Sequence, residues 1–153
     1  MAALDGVRVV DVGQFYLAPY CTMLMARLGA HVVKIEAPEG DPYRRLPTVD
    51  VNGVPLQFGF LNSGKQTIRL DLKNPSGRDV LRRLARWADV LVQNLSPGAM
   101  DRFGLGFQHL SELNPRLIMA SGTGFGSFGP YAGEPAMDLT IQKIGRASCR
   151  ERV

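Results

Sequence analysis

The sequence predicts an open α/β fold in which helices cover both faces of a parallel sheet. Short apolar runs rich in β-branched residues alternate along the chain with segments whose apolar residues recur at helical spacing. Parallel strands buried on both faces are typically short and apolar. Ligands of such sheets bind beyond the carboxyl ends of the strands, and candidate site residues are therefore sought there.

Five strands are predicted, at residues 7–12, 31–35, 66–70, 90–93 and 117–121. The first strand leads into a loop over residues 13–19 and a helix over residues 20–28, which Gly29 terminates as a typical C′ residue. The polar segment 37–52 is rich in Pro, Gly and Asp, which predicts a long loop or excursion.

Three further helices are predicted. Asn74 and Pro75 begin the first of them, because asparagine is a favoured N-cap and proline is tolerated in the first turn. Apolar residues then follow at helical spacing: Val80, Leu81, Leu84, Ala85 and Ala88. Two short helices are predicted over residues 97–103, closed by Gly104, and over residues 107–113.

Composition excludes several protein classes. The chain has 153 residues, 45% of them apolar and 21% charged, which is typical of a globular domain and not of a disordered chain. No apolar run approaches the roughly 20 residues that span a bilayer, so no membrane association is expected. The first residues lack a basic segment followed by an apolar one, which predicts no secretory signal. Two cysteines favour a reducing compartment, and we expect a cytoplasmic protein.

The basic character of the chain lies in its last eleven residues. They hold four of the 18 basic and one of the 14 acidic residues, so the net charge of +4 falls to +1 without them. The remaining sequence has no stripe of Lys and Arg among aromatic residues, and no nucleic-acid partner is predicted. Residues 144–153 are similar to one reading frame of a common sequencing-adapter oligonucleotide. We therefore expect a natural domain segment over 1–142 and a foreign or disordered tail over 143–153.

Common cofactor motifs are missing. The turn after the first strand contains Gly13 alone, whereas a dinucleotide fingerprint needs three glycines at fixed positions. The glycines at 122–126 follow a strand, but Phe128-Gly-Pro130 prevents a helix from starting there, which favours a flexible loop over a phosphate site. No Cys/His spacing predicts a metal site. The residues alone therefore predict an α/β domain with a polar or anionic ligand at the strand ends.

Seven segments carry a family resemblance: residues 4–11, 18–36, 62–73, 88–104, 113–118, 126–130 and 138–142. In this order and spacing they resemble the class III CoA-transferase family, which also contains the α-methylacyl-CoA racemases. The resemblance implies the N-terminal part of a Rossmann-like large domain, incomplete here, with a smaller second domain beyond it. It also implies a homodimer of two interlinked chains that acts on an acyl-CoA and a carboxylic acid.

The resemblance assigns part of the chain to the binding of coenzyme A, which is a substrate here. The assigned residues are the loop Gln14, Phe15, Tyr16, Leu17 and Ala18, together with Lys65, Asn94 and Arg102. Lysine and arginine suit the phosphates of CoA, and asparagine can both donate to and accept from the pantetheine amides. An arginine that some members use corresponds to Ala37, and Arg44 or Arg45 are candidates to replace it. Each residue also has a structural alternative, for example a turn capped by Asn94.

No catalytic residue is assigned within the chain. In the transferases an aspartate attacks the acyl-CoA thioester, and the resemblance places it beyond residue 142. The racemases instead use a histidine that precedes an aspartate matching Asp138, and Met137 occupies that position here. A transferase is therefore favoured, a racemase-like enzyme is the alternative, and a non-catalytic nucleotide-binding module is a third hypothesis. We expect residues 1–153 alone to be inactive.

Overall fold

A computed structural model of the chain describes residues 1–46 and 49–136. In chain order its elements are β1 (Arg8–Asp11), α1 (Leu17–Arg27), β2 (His31–Glu36), a 3-10 turn (Pro42–Arg44), β3 (Asp50–Val51), β4 (Val54–Pro55), α2 (Leu56–Asn62), β5 (Gln66–Arg69), α3 (Pro75–Trp87), β6 (Val90–Gln93), α4 (Ala99–Arg102), α5 (Phe107–Leu113) and β7 (Ile118–Ser121). The predicted tail over 143–153 and the position of Met137 lie outside the described residues.

Five strands form one parallel sheet in the order β5-β2-β1-β6-β7, which confirms the predicted open α/β fold. From β1 the chain runs outward through β2 and β5, then returns to the other side of β1 and continues through β6 and β7. The direction of winding therefore reverses between β1 and β6. Ligands of open α/β sheets bind at such a reversal, at the carboxyl ends of the strands.

The two faces of the sheet bury separate apolar clusters, because successive strand residues point to opposite faces. Val10 and Leu91 belong to the larger cluster, which includes residues of α3 and α5. Val9 and Val92 belong to the smaller cluster, which includes Ala18 of α1. Helices on both faces thus fix the central strands β1 and β6 and the loops at their ends.

The predicted helix after Asn74 is confirmed. The Asn74 side-chain oxygen accepts a hydrogen bond from the Ser76 N–H at 3.0 Å, and Pro75 is the first helical residue. Gly29 follows α1 with a φ of +100°. Glycine adopts this left-handed conformation at little cost because it has no Cβ atom.

Two segments near the site differ in detail from what the sequence predicts. Helix α1 begins at Leu17 and not at residue 20, because Pro19 lies in the first turn, where the missing N–H removes no helical hydrogen bond. Residues 37–52, predicted as a long loop or excursion, contain the 3-10 turn and β3, the first strand of the β3–β4 hairpin. Helix α2 was not predicted.

Within the described residues, no helix is both long enough and apolar enough to cross a membrane.

Candidate functional site

The reversal between β1 and β6 is bridged by one side chain. Asn94, directly after β6, accepts a hydrogen bond from the Gln14 N–H at 2.7 Å and donates one to the Gln14 carbonyl at 2.8 Å. Both backbone groups of Gln14 are therefore fixed by a residue from the neighbouring strand. The asparagine does not cap the turn before Pro97, which was its structural alternative.

Two buried side chains form hydrogen bonds with the backbone of Gly13. Asp11 Oδ1 accepts a hydrogen bond from the Gly13 N–H at 2.8 Å, and Lys34 Nζ donates to the Gly13 carbonyl at 2.9 Å. A Cβ atom at residue 13 would lie 2.8 Å from Asp11 Oδ1 and 2.9 Å from Pro19 Cδ. The close packing of the loop therefore requires glycine at this position.

The loop then exposes large side chains. Phe15 has a φ of +58°, in the left-handed region that bulky residues rarely adopt, and its ring meets the ring of Tyr43 edge-on at 5.6 Å. Tyr16 stacks on Tyr20 at 5.4 Å between ring centroids. Phe15, Tyr16 and Leu17 are exposed, whereas Ala18 is buried against the sheet. The predicted loop thus presents an apolar and aromatic surface beside the reversal.

The side chain of Lys65, which the resemblance assigns to CoA binding, is fully buried behind the loop. Its ammonium donates to Asp11 Oδ2 and the Pro19 carbonyl, both at 2.8 Å, and to Asn62 Oδ1 at 3.1 Å. Burial lowers the pKa of Lys65, and the Asp11 carboxylate offsets this only in part. All three donors of the ammonium are occupied by protein oxygens.

Arg44 forms an ion pair with Glu36, the last residue of β2. It donates two hydrogen bonds to the buried Glu36 carboxylate, at 2.7 and 2.8 Å, and its guanidinium lies 3.7 Å from the ring centroid of Phe58. Burial would by itself raise the pKa of Glu36. Hydrogen bonds from Arg44 and the Asp41 N–H, with the charges of Arg44 and Lys34, lower the pKa of Glu36 below its ordinary value of 4.5. Arg44 and Arg45 are the candidates to replace the arginine that some family members have at the position of Ala37. Of these two, Arg44 is held by the Glu36 carboxylate.

This pKa shift makes stability depend on pH. Because folding lowers the pKa of Glu36, the ionised carboxylate stabilises the folded protein. This contribution to the free energy of unfolding is complete above about pH 5 and is lost as the pH falls through the pKa of Glu36 in the folded protein. We expect Glu36→Gln to flatten the pH dependence of the urea-unfolding midpoint between about pH 6 and pH 3. Glu39→Gln, at an exposed position nearby, is the matched control and should follow the wild type. Parallel curves for wild type and Glu36→Gln would contradict the assignment.

Arg102 lies apart from this network. It is the last residue of α4, its side chain is exposed, and Nη1 donates to the Pro97 carbonyl at 3.2 Å. The segment that carries it follows Asn94 at the carboxyl end of β6. Arg102 therefore belongs to the same edge of the sheet as the loop, although no hydrogen bond joins the two in the described structure.

A small open groove of about 200 Å³ adjoins the start of α1. Its lining is mostly apolar and comes from α1 and from the carboxyl ends of β6 and β7: Leu17, Ala18, Cys21, Val92, Gln93, Ala120, Ser121 and Gly122. Within the described residues, no three His, Cys, Asp or Glu side chains gather into a group that could hold a metal ion.

Among the buried residues of the site that were not singled out from the sequence are Asp11, Lys34 and Asp41. For the first two a signal was present, because each charge stands within an apolar run predicted to be a buried strand. A charged side chain in such a run needs a partner, and here the partners are Lys65 for Asp11 and Asp41 for Lys34.

The profile of CoA-transferase family III matches residues 4–147 of the chain. The chain belongs to this family. The resemblance found in the sequence is thereby confirmed. A formyl-CoA:oxalate CoA-transferase of Streptomyces coelicolor is 43% identical over 147 residues, covering 94% of this chain and 35% of that protein. An acetyl-CoA:oxalate CoA-transferase of Acetobacter aceti is 42% identical over 141 residues, covering 92% of this chain and 36% of that protein.

Solved structures give the same result for the fold. A CAIB/BAIF family protein from Brucella suis superposes with a TM-score of 0.88 at 39% identity, covering 94% of this chain and 39% of that one. A hypothetical protein from Mycobacterium tuberculosis superposes with a TM-score of 0.87 at 35% identity, covering 95% and 40%. The chain spans about a third of the length of the curated relatives and about two fifths of these structures.

Proposed function

We propose that the protein is a CoA-transferase that moves CoA from an acyl-CoA to a carboxylic acid. Membership of CoA-transferase family III supports the reaction class. The named activities of the relatives make formyl-CoA and acetyl-CoA the first donors to test and oxalate the first acceptor. The same family resemblance supports an interlinked homodimer, and a cytoplasmic location stays a prediction.

The CoA site of this proposal is the loop from Gln14 to Ala18 with Asn94 and Arg102. The observation that carries it is the pair of hydrogen bonds by which Asn94 fixes Gln14 across the strand reversal. The exposed loop side chains supply apolar surface for the pantetheine arm, and Arg102 supplies a cation for phosphate. Lys65 stabilises the loop and does not contact CoA in this proposal, because its ammonium already donates to Asp11, Pro19 and Asn62.

The proposed chemistry uses a carboxylate nucleophile. An aspartate oxygen attacks the thioester carbonyl and CoA thiolate leaves, which forms a mixed anhydride. The thiolate then attacks the aspartyl carbonyl, releasing the donor carboxylate and leaving CoA as an enzyme thioester. The acceptor carboxylate attacks the carbonyl of that thioester and displaces CoA thiolate, which forms a second mixed anhydride. The thiolate then attacks the acceptor's acyl carbonyl in this anhydride, which yields the new acyl-CoA and the free aspartate. The resemblance places this aspartate beyond residue 142.

Three measurements on the intact protein distinguish the hypotheses. The intact protein is incubated with formyl-CoA and isotopically labelled oxalate, and label recovered in a CoA thioester only when both substrates are present supports the transferase. Deuterium from solvent at the α-carbon of a 2-methylacyl-CoA, without acceptor, would favour the racemase-like alternative. Equal affinity for CoA and for adenosine 3′,5′-bisphosphate, with no turnover, would favour a nucleotide-binding module.

Arg102→Ala should weaken CoA binding to the intact protein by about 1.5–3 kcal/mol, because a charge-assisted hydrogen bond is lost. Isothermal titration calorimetry measures the change. Arg86→Ala is the matched control. Arg86 is an exposed arginine in the last turn of α3, which leads into the amino end of β6, whereas Arg102 follows the carboxyl end of β6. Equal CoA affinity in the Arg102 variant and the wild type would remove Arg102 from the site.

A further inference from the structure

One peptide unit of the loop, between Gly13 and Gln14, is held from both sides. Its carbonyl accepts a hydrogen bond from Lys34 Nζ at 2.9 Å, and its N–H donates to Asn94 Oδ1 at 2.7 Å. Lys34 belongs to β2, and Asn94 follows β6. These are the two strands that flank β1, so both neighbours of β1 contribute a side chain to the orientation of this peptide.

Lys34 is an unusual residue for this task, because its side chain is completely buried in the sheet. A buried ammonium costs folding free energy unless it is paired and hydrogen-bonded. Asp41 supplies the pairing, with Oδ2 at 3.0 Å from Lys34 Nζ and a side chain that is also buried. Asp41 is itself fixed, because its N–H donates to Glu36 Oε2 and its Oδ1 accepts from the Tyr43 N–H, both at 2.9 Å.

The held peptide precedes the strained residue of the loop. Phe15, one residue later, has a φ of +58°, and a bulky residue keeps such a conformation only when its surroundings determine it. The conformation turns the chain into α1 while leaving the Phe15 and Tyr16 side chains exposed. The contact from Lys34 to Gly13 is therefore one of those that orient the chain directly before this strained residue.

We propose that Lys34 and Asp41 are positioning residues for CoA binding, a role that rests on the proposed function. They hold the loop in its binding orientation before the ligand arrives, which lowers the cost of ordering it on binding. Both side chains are buried beneath the loop, so they act through the Gly13 carbonyl and not by touching CoA.

The test removes the pair without leaving an unpaired charge. The double variant Lys34→Met/Asp41→Asn keeps an oxygen for the Tyr43 N–H but loses the donor to Gly13. In the intact protein we expect its KM for the acyl-CoA donor and its Kd for CoA to rise about tenfold to a hundredfold. We expect kcat to change by less than about threefold, because positioning of the loop acts on binding. In Lys34→Gln/Asp41→Asn, which retains an amide donor at residue 34, part of the affinity should return.

The matched control is Arg8→Met/Asp89→Asn, which removes an ion pair at the amino end of β1 and should leave the Kd for CoA unchanged. Unchanged CoA affinity in the Lys34/Asp41 variants, with wild-type protein that binds CoA, would overturn the positioning role alone. A loss in kcat equal to the loss in affinity, or failure of both Lys34/Asp41 variants to fold, would likewise assign the pair another role. Absence of CoA binding by the wild type would instead reject the proposed function.

Discussion

Replacing Lys65 with methionine should lower the free energy of unfolding of the protein by about 3–5 kcal/mol. The reason is the carboxylate that remains. Asp11 is fully buried, and Lys65 Nζ at 2.8 Å is the cation paired with it. Without that cation the fold must bury an uncompensated charge, which costs stability.

The Asp11 carboxylate retains other contacts in the variant. Thr22 Oγ1 donates to Asp11 Oδ2 at 2.6 Å, and the Gly13 N–H donates to Oδ1 at 2.8 Å. These neutral donors stabilise the carboxylate but do not replace the positive charge. Methionine matches the length of the lysine stem and fills much of its volume, so the loss measures the missing ammonium more than a cavity.

Urea unfolding of wild type, Lys65→Met, Asp11→Asn and the double variant measures the coupling between the two residues. We expect the double variant to be less destabilised than the sum of the two single variants, because it leaves no charge unpaired. Lys73→Met is the matched control, because Lys73 is exposed and follows β5, the strand that Lys65 precedes. It should change stability by less than about 0.5 kcal/mol. Additive losses in the cycle would show that the two residues act independently.

Most of the sheet was predictable because its signals are local. The short apolar runs predicted all five parallel strands to within one residue at each end, and Asn74-Pro75 predicted the start of α3. Helix α2 has seven residues and contains Gly59, so its propensity is weak. Its buried Phe58 and Leu61 indicate that tertiary packing stabilises it, which no local pattern could predict.

The candidate site was predictable only in outline. The positions of Gln14 and Asn94 at the ends of two strands could be read from the sequence, but not the reciprocal hydrogen bonds between them, which join residues 80 positions apart. The direction of the Lys65 side chain was equally hidden. A lysine before a strand is usually solvated, and only the pairing of β5 with β2 brings this one to Asp11.

Asn94→Ala should weaken CoA binding to the intact protein by about 2–4 kcal/mol, more than the loss expected for Arg102→Ala. Two contributions add. The variant loses the amide that we propose contacts CoA, and it leaves the Gln14 N–H and carbonyl without the partners that fix them at 2.7 and 2.8 Å. The loop must then be ordered by the ligand, at a cost to the binding free energy.

Asn94→Asp separates these contributions from a simple loss of packing. The carboxylate can still accept from the Gln14 N–H, but it cannot donate to the Gln14 carbonyl and brings an oxygen against it. If the loop geometry matters, Asn94→Asp binds CoA nearly as poorly as Asn94→Ala, although its side chain has the size of asparagine. Asn114→Ala provides the control, because Asn114 likewise donates to backbone carbonyls, those of Ala85 and Ala88, but lies after α5, away from the loop. Calorimetry with CoA decides the matter: wild-type affinity in Asn94→Asp would show that the bond to the Gln14 carbonyl plays no part in binding.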